Sequence, residues 1–373
     1  MLFRNWLPCT KEKNILFLSS NNTMNPEKFK NTIDGIETGL FKLTNSSGVQ
    51  VFICNYGAAL VSIKIPGKNG KLTDVILGYD SLDGYLNGNP YFGSIVGRFA
   101  NRIGKAEAII EDKLYKLSAN IGEHHLHGGT SGFSMKAWKI ISASPNELVL
   151  EHFSEDGDQG YPGNLTAKVR YLLTNDNSLV IEMQAKTDKT TLVNFTSHPF
   201  FNLEGEGTPS ITSHLFQINA SGYLPIDENL VTTGEIEKVS GTPFDFQKPA
   251  GLDFEKNASN SQLIRGRGYD HCFALDNENN FGKIAAQVFS PNGICLEVFT
   301  NQPGLQFYTG NWLDGSDIGK TGTPYIQRSA FCLEAQNFPD APNKKHFPNP
   351  LLQPGETYYH KTIYKFSCKN FQP

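Results

Sequence analysis

Leu165-Thr166-Ala167-Lys168-Val169-Arg170-Tyr171 alternates apolar with polar side chains, and Leu179, Ile181, Met183 and Ala185 resume the alternation after Asn175-Asp176-Asn177-Ser178. Successive side chains of a strand point to opposite faces, so a period of two marks a strand with one buried face. The Asn/Asp-rich step between the two runs is turn chemistry, and the pair reads as an antiparallel hairpin. Ile284, Ala286 and Val288, the turn Pro291-Asn292-Gly293, and Ile294, Leu296 and Val298 make a second hairpin by the same logic. Further strands read at 49–54, 59–65, 147–153 and 360–367. No segment carries sustained helical periodicity, and neither a long internal repeat nor a Ser/Pro-rich linker divides the chain after residue 35. The expected fold is all-β, a large antiparallel β-sandwich in one domain over residues 33–373. Residues 1–32 are expected to be an N-terminal extension, with Met24 an alternative start.

Composition agrees with this reading. The 373 residues include 35 glycines and 20 prolines and are 12% aromatic, which suits many short strands joined by turns. A net charge of −4 excludes the basic footprint that neutralises nucleic-acid phosphates or docks on anionic lipid, so a neutral small-molecule partner is expected, with no nucleic acid and no membrane. No run of apolar residues is long enough for a membrane-spanning helix. The first 20 residues, broken by Pro8, Lys11, Glu12 and Lys13, make a poor secretory signal, and a cytoplasmic location is expected. The six cysteines are scattered singly and read as free structural thiols.

Four stretches offer chemistry. Glu334 sits in Ala330-Phe331-Cys332-Leu333-Glu334-Ala335, where an unpaired buried charge would be expensive. It is either a strand-end carboxylate facing water or an arginine, or a functional acid/base group. His198, in Asn194-Phe195-Thr196-Ser197-His198-Pro199, is held extended by the following proline and reads alone as a hydrogen-bonded core histidine. The three histidines of Glu123-His124-His125-Leu126-His127-Gly128-Gly129 lack metalloprotease spacing and have no cysteine cluster beside them, so no metal is expected. Gly97-Arg98-Phe99-Ala100-Asn101-Arg102-Ile103 puts two cations, Arg98 and Arg102, in an aromatic context, and Arg102 is a candidate donor to hydroxyl groups or a plain surface ion pair.

Taken together, these blocks resemble the aldose 1-epimerase family from about residue 35 to 368. The resemblance rests on NYGA at 55–58, GRFANRI at 97–103, HLHGG at 125–129, SHPFFNL at 197–203, GYDH at 268–271 and LEAQNFPDAPN at 333–343. QPGLQFYTGN at 302–311 and FPNPLLQPGETY at 347–358 add to it. It implies a single β-supersandwich with no metal or organic cofactor. It also implies an activity, the exchange of α and β anomers of a free aldohexose such as galactose or glucose by acid/base ring opening and reclosure. His198 would be the general acid at the ring oxygen and Glu334 the general base at the C1 hydroxyl. Arg102, His127, Asp270 and Gln306 would hold sugar hydroxyls, with Asn101 a neighbouring contact. Ser197 and Pro199 depart slightly from the family pattern. A sugar-binding module without turnover, a hexose-6-phosphate epimerase, which needs cations for the phosphate, and a glycosidase, which usually pairs two carboxylates, are the competing readings.

Overall fold

The computed structural model describes residues 24–67, 70–276 and 281–368. Cys9 and most of the expected N-terminal extension lie outside the described residues. An eight-stranded antiparallel sheet runs in the order Lys139–Ser144, Glu147–Ser154, Leu165–Leu173, Ser178–Thr187, Tyr358–Cys368, Ile294–Thr300, Ala286–Phe289, Leu215–Ile218. Both hairpins read from sequence are in it, and the C-terminal strand joins them. Leu165, Ala167, Val169, Tyr171 and Leu173 are buried while the residues between them are half-exposed, as the alternation requires.

A five-stranded antiparallel sheet runs in the order Glu237–Lys238, Ala220–Tyr223, Asp270–Leu275, Gly304–Tyr308, Cys332–Gln336. Phe273, Leu305, Phe307, Leu333 and Ala335 from one face of it share a single hydrophobic cluster with Val169, Tyr171, Ile181 and Met183 of the large sheet. Each fully buried Val, Leu, Ile, Met or Phe among them adds roughly 1.5–3 kcal/mol. The opposite face of the same strands carries Asp270, Cys272, Gln306 and Glu334, and this is why a carboxylate sits inside an apolar sequence run: its neighbours point into the core and it does not. Among the described residues, no helix is long and apolar enough to cross a membrane, and none of the five described cysteines is in a disulfide.

The expected boundary at residue 33 falls inside packed structure. Met24 and Phe29 are buried with Leu40, Phe52 and Tyr85, Thr38 Oγ1 donates to the Phe29 carbonyl at 2.8 Å, and Asn31–Ile33 pairs with Ile36–Thr38. A chain starting at residue 33 loses these contacts, and one starting at residue 24 keeps them. The first is expected to be less stable than the second by at least ~3 kcal/mol, the usual penalty for one lost core phenylalanine. Denaturant midpoints of the two truncations measure the difference, and equal midpoints would show that Phe29 contributes nothing.

Candidate active site

Glu334 and Gln306 are directly opposed across the antiparallel pair Gly304–Tyr308 and Cys332–Gln336, and Gln306 is in turn opposite Cys272, two residues from Asp270. Strand register alone thus brings three of the expected site residues together. His198 arrives from another direction. Phe201 and Phe331 exchange backbone hydrogen bonds at 2.7 and 2.9 Å, Thr196 Oγ1 donates to the Ala335 carbonyl at 2.8 Å, and the antiparallel register between them sets His198 opposite Glu334. His198 Nε2 lies 3.3 Å from Glu334 Oε1, and both side chains are buried.

The arginine and glycine-rich loops close the site. Leu126 pairs with Arg102, and one step further the His127 amide donates to the Asn101 carbonyl while the Asn101 amide donates to His127 Nδ1, both at 3.2 Å. Asn101 and His127 both adopt positive φ, 67° and 52°, a conformation that costs a non-glycine residue of order 1–3 kcal/mol and clusters at functional sites. Gly128 must be glycine, because its φ is 87° and an added Cβ would stand 1.8 Å from the Gly97 carbonyl oxygen. Asn194 ties this loop to the His198 segment, accepting from Ala100 and Asn337 and donating from its amide to Arg98.

His127, His198 and Glu334 offer ligand or proton-transfer atoms within 4.8 Å of one another. The other histidines of the sequence cluster do not join them: His125 is held between the Ser118 carbonyl and the Tyr161 hydroxyl, and His124 accepts from the Lys105 amide. Gln306 Nε2 donates to Asp270 Oδ1 at 2.7 Å. Asn101 Oδ1 accepts from the Arg102 amide at 2.8 Å, and Asp340 fixes the Arg102 backbone. All seven expected site residues are buried, and Asn101, Asp270 and Gln306 line a cleft whose other wall is Leu224, Ile226, Leu230 and Pro339.

Four buried polar atoms here, Arg102 Nε, His198 Nδ1, Gln306 Oε1 and Glu334 Oε2, have no partner in the protein. Each such group costs roughly 1–3 kcal/mol if left unpaired, so they favour a ligand rich in hydroxyl groups. A wider groove lined by Asp34, Lys136, Glu151, His152 and Asp158 shares no residue with this cluster and lacks its convergence of acid and base. Arg98 is not part of the site. Its buried guanidinium donates to Ser154 Oγ and to the carbonyls of Ser154, Glu155, Pro162 and Gly163, so neither a surface pair nor a ligand contact describes it.

Burial pushes the His198 imidazole down to about 4 and holds His127 well below its usual range. Burial, reinforced by Asp270, pushes Glu334 well up, and Arg102 partly offsets this. Asp270 is likewise raised by burial, against Arg102 and Gln306. His125, His152, His214, His271 and His360 are depressed by burial too, to between about 3 and about 4. As pH falls below about 6.5 the unfolded histidines take up protons and the native ones do not, so the unfolded state gains and stability falls towards pH 4. The two raised carboxyls oppose this trend, because they take up protons earlier in the native state. Seven histidines outweigh two carboxyls. The Tm at pH 5 is therefore expected to lie about 10 °C or more below that at pH 7.5 by calorimetry, and a flat or rising Tm would contradict the neutral burial of these imidazoles.

Sequence reading missed Tyr91, whose ring lies 4.8 Å from the His127 ring and 6.0 Å from that of His198. It also missed the apolar wall of Leu224, Ile226 and Leu230. Neither is charged or periodic with its neighbours, and only the folded contacts reveal them.

The aldose 1-epimerase family profile matches residues 39–365. The chain is similar to galactose mutarotase of Bos taurus, 43% identical over 324 residues, which span 86% of this chain and 92% of the relative. It is similar to aldose 1-epimerase of Escherichia coli K12, 38% identical over 336 residues, 89% of this chain and 96% of the relative. Among solved structures, an aldose epimerase homologue from C. elegans superposes with a TM-score of 0.82 at 29% identity, covering 89% of this chain and all of that one. Galactose 1-epimerase from Lactobacillus acidophilus gives 0.80 at 31% identity, covering 91% and 97%.

Proposed function

The chain belongs to the aldose 1-epimerase family and is a mutarotase, and we propose that His198 and Glu334 carry its two proton transfers on free hexoses such as galactose and glucose. The observation that supports this assignment is the buried contact of 3.3 Å between His198 Nε2 and Glu334 Oε1. The C1 hydroxyl oxygen and the ring oxygen of an aldose are bonded to the same carbon. An acid for one and a base for the other must therefore be neighbours.

Glu334 removes the proton from the C1 hydroxyl as the C1 carbonyl forms. The bond from C1 to the ring oxygen breaks, its electron pair goes to that oxygen, and His198 supplies the proton. Rotation about C1–C2 presents the other carbonyl face, and the same steps in reverse close the ring to the other anomer. The pair thus carries one proton throughout. Carboxylate with imidazolium opens the ring, and carboxylic acid with neutral imidazole closes it. Burial favours the second of these states, raising Glu334 and lowering His198, while Arg102 favours the first by lowering Glu334. Opposed biases of this kind keep the two proton placements closer in energy than burial alone would. Arg102, His127, Asp270 and Gln306, with Asn101 beside them, hold the hydroxyls.

The hexose-6-phosphate alternative needed cations, and Arg98 is already bound by five acceptors of the protein. Polarimetry of freshly dissolved α-D-galactose and α-D-glucose tests the function. Relaxation faster than in buffer is expected, and a rate equal to buffer would favour a sugar-binding module.

A further inference from the structure

We propose that Tyr91 is a positioning residue for His198, its ring holding the imidazole plane and sealing it from water. The inference rests on the assignment of His198 as a proton-transfer group. Tyr91 and Phe200 both lie nearly parallel to the His198 ring, at 21° and 17°, with centroids 6.0 and 4.9 Å away. The Tyr91 ring also packs at 4.8 Å against His127, itself 5.3 Å from His198 and edge-on to it. One half-buried side chain therefore packs against His127 and lies alongside His198. Its backbone is fixed where this matters: the Tyr91 amide donates to Asn89 Oδ1 at 3.0 Å, and the Tyr91 carbonyl accepts from the Ser94 amide at 3.1 Å. Ser94 accepts the His198 amide in turn at 3.0 Å, so Tyr91 and His198 belong to one short backbone network.

His198 needs such a support. Its Nδ1 is buried and has no hydrogen-bond partner on any other residue, so no neighbouring group fixes the plane of the ring through the second nitrogen, as commonly happens for a working imidazole. Ring contacts take over that duty, and they leave Nε2 facing Glu334.

Two effects of removing the ring compete. An aromatic face beside it stabilises an imidazolium, so its loss would lower the imidazole pKa slightly. Opening the imidazole to water acts the other way, and burial is the dominant cause of its depression to about 4. Rehydration wins, and the pKa moves up towards the ordinary value.

The test compares Tyr91→Leu with Tyr91→Phe in the full chain, by polarimetric kcat and KM, the pH profile of kcat/KM, and ¹⁵N NMR titration of His198. Tyr91→Leu is expected to lower kcat about tenfold or more with a smaller change in KM, and to raise the His198 midpoint and the acid limb together. Tyr91→Phe keeps the ring and is expected to recover most of the lost kcat. If Tyr91→Leu folds poorly, Tyr91→Met carries the same comparison. Unchanged kcat and His198 midpoint in the leucine variant would overturn the proposal, as would a loss confined to KM or an equal loss in Tyr91→Phe. His198→Asn separates the two levels: if that variant is fully active, the proton-transfer assignment itself fails, whereas an inactive His198→Asn beside an unaffected Tyr91→Leu removes only the role of Tyr91.

Discussion

Glu334→Gln is expected to lower kcat by about 10³-fold, and His198→Asn by a similar factor, within the ~10²–10⁴ that one positioned proton transfer contributes. Glutamine preserves the size of Glu334 and its place opposite Gln306 in the strand register, but an amide does not accept the C1 hydroxyl proton. Sugar affinity should largely survive, because Arg102, Asp270 and Gln306 are untouched. Stability should not fall, since the substitution replaces a buried carboxyl by a neutral amide of equal shape, and thermal melting with calorimetric sugar binding checks both points. In the proposed mechanism the two residues share one proton and neither step proceeds without the other. The double variant should therefore lose far less than the product of the single losses. Multiplicative losses would mean that the residues act in separate steps, and a Glu334→Gln enzyme retaining most of its rate would remove Glu334 from the role of base.

The parts of this arrangement that sequence revealed share a physical cause. A period of two fixes which strand residues face the core, so the hairpins at 165–187 and 286–300 were legible from Leu165 to Tyr171 and Ile294 to Val298 alone. The same alternation made Glu334 conspicuous as a carboxylate among buried neighbours. What it does not encode is which strand end meets which loop. The approach of His198 to Glu334 follows from the pairing of Phe201 with Phe331, a long-range register that no local pattern contains. Arg98 and Arg102, four residues apart in one motif, separate into a structural clamp and a site cation for the same reason. Tyr91 carries no signal that distinguishes it from an ordinary core tyrosine. Met24 and Phe29 sit in a short segment whose apolar residues are too few to show a period, although both are buried.

Arg102→Ala is expected to lower kcat/KM by about 10²-fold or more, comparable to deleting one electrostatic donor from a preorganised site. Arg102 would have two functions in the proposed mechanism, and pH behaviour distinguishes them. As a hydroxyl donor it would affect KM chiefly. As the cation that pulls Glu334 and Asp270 down against burial, it also sets how readily Glu334 exists as a carboxylate. Without it the Glu334 carboxyl keeps its proton to higher pH. The state with no proton on the pair then forms only at higher pH, so the basic limb of the kcat/KM profile moves upward. The carboxylate–imidazolium state that opens the ring becomes scarcer at every pH, so kcat falls as well. Arg102→Lys restores the charge without the planar fork, and should return the basic limb towards its original position while recovering only part of the rate. If Arg102→Ala raises KM alone and leaves the limb where it was, Arg102 only holds the sugar, and the balance between the two proton placements must come from the substrate hydroxyls themselves.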